Sequence, residues 1–343
     1  MSRYLVTGGC GFVGSNITAT LLQRGDSVVV FDSLTRHGTA ANLDWLRSLG
    51  SCEFQHGDIR NAHDVDRLIK ASRPDVVFHL AGQVAMTTSM NDPRRDYDVN
   101  VTGSINLLES VRQHCPTAAV IYSSSNKVYG NLSTLELREE TLRYAAPGLP
   151  NGVDESAPLD FHTPYGCSKG AADQYMLDYA RCFGLNTAVF RHSTIYGGRQ
   201  FATFDQGWVG WFSQQAVETQ MNPSRPPFTI AGDGKQVRDL LFVDDAVRCY
   251  LAAAENIGRA RGEAFNIGGG MENSSSLLEL FEALERKLGV QLKYEKLDWR
   301  MDDQKLFVAD IRKATQLIGW RPRVRKDEGV DRTIQWVKST IAG

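Results

Sequence analysis

Short apolar runs alternate with longer helical patterns along the first half of the chain. Tyr4–Thr7, Ser27–Asp32, Cys52–His56, Val76–Leu80, Ala118–Ser123 and Thr187–Arg191 are β-branched and nearly continuously apolar, which predicts strands covered on both faces. Between them, Val13–Arg24, Asp64–Ala71, Val101–Gln113 and Tyr165–Phe183 carry helical spacing. This alternation predicts an α/β fold with a Rossmann-like, doubly wound parallel sheet. After Arg191 the rhythm breaks into a stretch rich in Gly, Trp, Phe and Pro, Tyr196–Gly234, before a helix begins near Asp244. Gly262–Gly270 has the pattern of a strand with a glycine exit, and the tail from Ser274 is mostly helical. The expected organisation is a sheet domain over 1–191, rejoined by 240–270, and a smaller, discontinuous, mainly helical lobe made from 192–239 and 271–343.

Composition narrows the partners. With 343 residues and 42% hydrophobic content the chain can bury a large core. Lys plus Arg number 38 against 40 Asp plus Glu, a net charge of -2, so there is no field to collect nucleic acid or a membrane surface. The six cysteines are scattered, without a C-x-x-C pair or histidines at zinc spacing, so no metal is expected and a reducing cytoplasm fits. The apolar start at Tyr4-Leu5-Val6 is too short for a signal peptide, and no later stretch is long enough to span a membrane.

The first strand runs into Thr7-Gly8-Gly9-Cys10-Gly11-Phe12-Val13-Gly14 at the start of a helix. Missing side chains at Gly8, Gly11 and Gly14 let a pyrophosphate approach the backbone and the helix N-terminus. A glycine turn alone is weak evidence, because many strand-to-helix turns need glycine for backbone reasons. Asp32, eighteen residues past Gly14 at the end of the next strand, adds a carboxylate where adenosine ribose hydroxyls would lie. Arg36 could hold a 2′-phosphate, but the Asp32 charge would repel that group, so NAD is the expected cofactor. Asp58-Ile59 is placed to contact the adenine, and Leu80-Ala81-Gly82 supplies small residues where the cofactor must pass.

Tyr165-Gly166-Cys167-Ser168-Lys169 opens a helix and puts Tyr165 and Lys169 on one face. A free tyrosine, with a pKa of about 10, is a poor base at neutral pH; a nearby ammonium favours the phenolate. The same spacing arises by chance in many helices, where it means a solvated lysine beside a packed ring. Ser123-Ser124-Ser125 adds a hydroxyl at the carboxyl edge of the sheet, where ligands of such folds bind.

Together, the glycine turn, Ser123–Gly130 and Tyr165–Lys169 resemble the extended short-chain dehydrogenase/reductase family of sugar-nucleotide epimerases and dehydratases, over essentially the whole chain. The resemblance implies Ser125, Tyr165 and Lys169 as catalytic groups, with Tyr165 the base and Lys169 also on the cofactor ribose, and Asn100 as a support of the lysine. It implies Arg238, in Gly232–Asp239, as a pyrophosphate ligand, and Arg300 with Asp303 as a nucleotide-binding pair. This chain lacks the family's Pro and Gly around Arg300. An acidic residue follows the catalytic hydroxyl in the dehydratase branch; here Asn126-Lys127 follows Ser125, which argues against dehydration. Ala81–Ser89, Asn126–Gly130 and Arg191–Phe212 resemble the branch that inverts C2 of CDP-linked sugars by transient oxidation. By that likeness Gln83, Thr88, Ser125, Asn126, His192, Gln206 and Val209 are substrate contacts, and the partner is a nucleotide sugar, a CDP-sugar by preference. A UDP-hexose 4-epimerase shares every cofactor and catalytic motif and is the alternative, with a CDP-glucose or CDP-mannose type 2-epimerase beside it; a dinucleotide sensor would lack the Tyr/Lys pair. For His162 a structural role weighs as much as a catalytic one, and Cys167 is read as packing. A homo-oligomer, dimer or tetramer, is expected by the same resemblance.

Overall fold

The computed structural model describes residues 2–342. Seven strands form one parallel sheet: β1 (Arg3–Thr7), β2 (Ser27–Asp32), β3 (Glu53–His56), β4 (Val76–His79), β5 (Ala119–Ser125), β6 (Asn186–His192) and β7 (Glu263–Ile267). Their spatial order is β7-β6-β5-β4-β1-β2-β3, every pairing parallel. The chain therefore reverses direction across the sheet between β1 and β4, and the carboxyl ends of these two strands open a crevice there. Apolar side chains pack on both faces: Val6, Val30, Phe78, Ile121 and Phe190 on one, Leu5, Val29, Val77, Val120 and Val189 on the other.

The strand ends differ from the sequence expectation in an informative place. β5 continues through Ser124 and Ser125, which pair with Arg191 and His192 of β6. A serine run favours turns, but here the ladder to β6 satisfies the backbone and carries Ser125 to the sheet edge. The helix Thr39–Leu49, unmarked by a side-chain cap after Gly38 at φ 84°, was not expected; Asn42, Leu43 and Leu46 bury its inner face. Residues Asp98–Thr102 form a π turn that runs straight into helix Gly103–His114.

The expected lobe contains helices Trp208–Met221, Leu277–Leu288 and Lys326–Ala342. Phe212, Phe228, Phe281 and Tyr294 form its aromatic centre. Ser276 and Glu279 cap Leu277–Leu288 reciprocally. The tail is less helical than its pattern suggests, because Ser274–Ser276 and Leu306–Phe307 pair with Val237–Phe242, which also takes Thr194–Tyr196. Part of the tail also leaves the lobe. Ala314, Ile318 and Trp320 pack into the large core, and the Trp320 indole donates to the Asp245 carbonyl at 2.9 Å. The segment after Phe242 rejoins the sheet domain through β7 and through helix Val243–Glu255, which packs on the first helix.

Candidate active site

The glycine turn after β1 is built for close approach. A Cβ on Gly8, at φ +69°, would stand 2.7 Å from the Ala81 nitrogen, and one on Gly14 would stand 2.2 Å from the Gly8 carbonyl oxygen. Only glycine keeps this turn against β4 and helix Phe12–Gln23. That helix has no side-chain cap and no acidic residue in its first turn, so its N-terminal amides are free to face an anion. A cavity of about 440 Å³ opens in front of them, lined by Gly8, Gly11, Phe12, Val13, Gly14, Asp32, Asp58, Ile59, Leu80, Ala81, Gly82, Gln83, Thr88 and Gln206 among others.

Asp32 closes β2 at the cavity wall. Its carboxylate accepts from the Cys10 amide at 2.9 Å and the Leu34 amide at 2.8 Å; burial nevertheless raises its pKa, against those hydrogen bonds. Asp58 is gripped by Arg60, whose Nε donates to Oδ1 and Nη2 to Oδ2, and this holds its pKa low. Arg36 and Asp205 also line the cavity.

The chemistry-bearing residues lie beside this cavity: Tyr165, Lys169 and Ser125 are not part of its lining, but Lys169 touches Ser123 and comes close to Gly82, which are. Helix Thr163–Phe183 brings Tyr165 and Lys169 under β5. The Lys169 ammonium donates to the Ser123 carbonyl, lies 4.4 Å above the Tyr122 ring and would sit 3.7 Å from a Cβ at Gly82. Burial pushes its pKa down to about 7, while Asp96 and Asp173 act to raise it. Burial pushes the Tyr165 phenol up to about 12, and the facing Ser125 hydroxyl acts to lower it. Each group alone is thus driven toward neutrality, and a phenolate here depends on cationic company.

Other expected residues go elsewhere. The Asn100 amide is fully engaged, accepting from the Gln83 amide at 2.9 Å and donating to Ser168 Oγ at 2.9 Å and the Gln83 carbonyl at 3.1 Å. It does not line the cavity. His192 is enclosed in the core, donating or accepting at Tyr250 Oη at 2.8 Å with the rings stacked. Burial pushes its pKa down to about 3, which leaves it a neutral packing residue in this arrangement. Val209 is buried in the lobe core. The Asn126 amide donates to Gln304 Oε1 at 2.7 Å, tying the turn after Ser125 to the C-terminal segment. Arg238 and Asp303 meet at 2.9 Å. Arg300 donates to the Phe204 carbonyl at 3.2 Å. His162 bridges Asp302 at 2.9 Å and Asp160 at 3.0 Å, and its pKa is raised chiefly by Asp302. Cys167 is exposed on the same helix.

Against known proteins, the profile of the NAD dependent epimerase/dehydratase family matches residues 4–268. The chain belongs to this family. It is 56% identical over 337 residues, 98% of this chain and 99% of the relative, to a CDP-paratose 2-epimerase of Salmonella typhi. Among solved structures it is similar to a UDP-glucose 4-epimerase of Thermotoga maritima with UDP-glucose, at 30% identity, TM-score 0.84 and 99% coverage of both chains. A UDP-glucose 4-epimerase of Stenotrophomonas maltophila with bound NAD and formylated UDP-arabinopyranose matches at 26% identity and TM-score 0.84, over 100% and 99% of the two chains. The chain is an epimerase-family enzyme and its cofactor is NAD. The residues present fit that cofactor: the turn that excludes any Cβ faces uncapped amides, and Asp32 stands at the end of β2.

Two sets of contacts at the site were not legible in the sequence. Asp96, fully buried, accepts from Ser168 Oγ and, at 2.9 Å, from Gln83 Nε2, so a carboxylate stands behind the catalytic helix. The segment Gly198–Gln206 crosses to the sheet domain. Arg199 lies 4.1 Å above Trp45 and 5.0 Å from Trp336, and Phe201 covers Gly38. Both depend on contacts between residues far apart in the chain.

Proposed function

We propose that the enzyme inverts C2 of a CDP-linked hexose, of the CDP-paratose to CDP-tyvelose type, through a 2-keto sugar that is then reduced on its other face. The observation that carries this reading is the 56% identity to a CDP-paratose 2-epimerase across nearly the full length of both chains; Lys169 beside Ser123 and Gly82 of the cavity lining, and Ser125 facing Tyr165, support it. NAD, held by the glycine turn and Asp32, would supply a reversible hydride acceptor for the sugar carbon. Tyr165 removes the proton from the sugar hydroxyl at Oη. Ser125 Oγ donates to the developing carbonyl oxygen. Lys169 supplies the positive charge that a buried phenolate needs, and its Ser123 and Tyr122 contacts fix its position. No carboxylate follows Ser125, so the turn offers Asn126 and Lys127 and no acid to expel a hydroxyl as water.

In this reading Gly8, Gly11, Phe12, Val13, Gly14, Asp32, Asp58, Ile59, Leu80, Ala81, Gly82, Tyr165 and Lys169 hold the cofactor. Gln83, Thr88, Ser125, Asn126, Gln206, Arg238, Arg300 and Asp303 face the nucleotide sugar, between a cofactor-binding sheet domain and a nucleotide-sugar lobe. Asn100 acts through Gln83 and Ser168. We place the enzyme in the cytoplasm; its six free cysteines suit that compartment, and no helix among the described residues is long and apolar enough to cross a membrane. A homo-oligomer, dimer or tetramer, is supported by exposed Tyr97, Tyr175 and Phe183 on adjoining helices.

A UDP-hexose 4-epimerase is the second reading, favoured by the likeness to a UDP-glucose 4-epimerase solved with UDP-glucose. Incubation of the purified enzyme with CDP-paratose, CDP-glucose and UDP-glucose, with products identified by NMR, separates the two. Conversion of CDP-paratose to its C2 epimer is expected; inversion at C4 of UDP-glucose with no action on the CDP-sugars would reject the first reading.

A further inference from the structure

Lys127 has no role in the reading above, yet its position is set by the catalytic turn. It lies two residues past Ser125 in the 3-10 turn Asn126–Tyr129, and its amide donates to Ser125 Oγ at 3.2 Å. Its carbonyl oxygen would lie 3.1 Å from a Cβ at Gly166, next to Tyr165. From this anchored backbone the side chain reaches the C-terminal segment. Nζ lies 3.3 Å from Asp303 Oδ1 and 3.4 Å from the Asp302 carbonyl, both long for a charged donor. The same Asp303 oxygen accepts from Arg238 Nη2 at 2.9 Å, and Arg300 also acts electrostatically on Asp303. The side chains of Lys127, Arg238 and Asp303 are 13%, 12% and 18% exposed.

Two cations thus share one carboxylate oxygen, with Arg300 acting on it from farther away. The neighbouring Asp302 carboxylate is taken by His162 at 2.9 Å. Lys127 and Arg238 together exceed the charge of Asp303 by one, and a positive surplus so largely withdrawn from water is costly unless an anion joins it. A diphosphate carries the complementary charge and many acceptor oxygens. Burial lowers the Lys127 pKa while Asp303 acts to raise it; an arriving phosphate acts in the same direction as Asp303.

We infer that Lys127 is a ligand of the substrate diphosphate and, with Arg238, clamps the phosphate on the sugar side. This inference rests on the nucleotide-sugar reading and adds a residue to it. Because Lys127 and Ser125 share one turn, the clamp couples the anchored phosphate to the catalytic hydroxyl, and the sugar beyond it remains the part free to turn over between the two faces of hydride transfer. Asp303 serves as the counter-ion that keeps both cations in place before substrate arrives.

The test uses the NAD-containing enzyme and calorimetric titration with CDP, CMP and UDP, on wild type, Lys127→Gln, Lys127→Met and Lys127→Arg. Loss of one charged phosphate contact is expected to weaken CDP binding about 10- to 100-fold in the Gln and Met variants. CMP, lacking the sugar-side phosphate, should change less than about 3-fold, and Lys127→Arg should recover most of the CDP affinity. KM for the nucleotide sugar should rise in parallel, with NAD content kept. Equal losses for CDP and CMP, or no loss for either, would overturn the inference and leave Lys127 as a structural partner of Asp303. Wild-type enzyme that binds neither CDP nor UDP would overturn the nucleotide-sugar reading itself, and the inference with it.

Discussion

Replacing Lys169 by methionine should make the nucleotide-free protein more stable at neutral pH while abolishing its activity. Lys169 is 3% exposed, and burial moves its pKa from 10.5 to about 7. The unfolded chain therefore holds this proton more tightly than the folded one. Between pH 7 and 10.5 the unfolded state binds more protons, so stability rises with pH through that window and is lowest at and below pH 7. At about 1.4 kcal/mol per pH unit, a difference of about 3.5 costs on the order of 4 kcal/mol at pH 7. Methionine is similar in length and carries no charge. It leaves the Ser123 carbonyl without its donor, which offsets about 1–2 kcal/mol of the gain; Asp173 keeps Arg191 at 2.9 Å, and Asp96 keeps Gln83. The net expectation is a gain of about 2–3 kcal/mol at pH 7 that shrinks toward zero or reverses by about pH 10. Urea unfolding followed by circular dichroism at pH 7, 8.5 and 10, on both proteins freed of nucleotide, measures it. A variant less stable than wild type at pH 7, or a difference that does not change with pH, would refute the assignment of Lys169 as a strained buried cation.

Three further outcomes follow from the site. Tyr165→Phe removes only the phenolic hydroxyl and should lower kcat by about 10²- to 10⁴-fold, with NAD content and nucleotide affinity unchanged; near wild-type turnover would pass the proton to another group, with His162 the first to examine. Gly14→Ala places a Cβ 2.2 Å from the Gly8 carbonyl oxygen and 2.8 Å from Gly9 Cα, so the backbone must shift; NAD retention on gel filtration should fall and stability drop by about 1–3 kcal/mol. A CDP-sugar deuterated at C2 should keep its label through inversion and gain none from D2O in the unlabelled form, by mass spectrometry; solvent deuterium at C2 would replace the oxidation route with proton abstraction.

Much of the fold was legible in the sequence because its signals are local. Short, β-branched apolar runs such as Val28–Phe31 fit strands covered on both faces, and their alternation with helices points to a parallel, doubly wound sheet. Gly8 and Gly14 announced the cradle because a backbone that approaches another backbone tolerates no Cβ, and Tyr165 and Lys169 announced a shared helix face through their spacing. The serine run was harder, since the same residues favour turns, and only pairing with β6 makes Ser124 and Ser125 a strand end. His192 shows what burial adds: the last residue of β6 is polar in sequence, and its ring is stacked on Tyr250 inside the core. The helical pattern of the tail likewise concealed that Trp320 returns to the large core, where its indole finds the Asp245 carbonyl. Sequence alone thus determined the sheet, the glycine turn and the shared helix face of Tyr165 and Lys169, whose causes act within one turn or one strand. The tertiary structure alone decided that Asp96 stands behind the catalytic helix, that Arg199 rests on Trp45, and that Lys127, Arg238 and Asp303 meet. Those contacts join residues 65 to 176 positions apart, and their energies come from burial and charge, which no local pattern records.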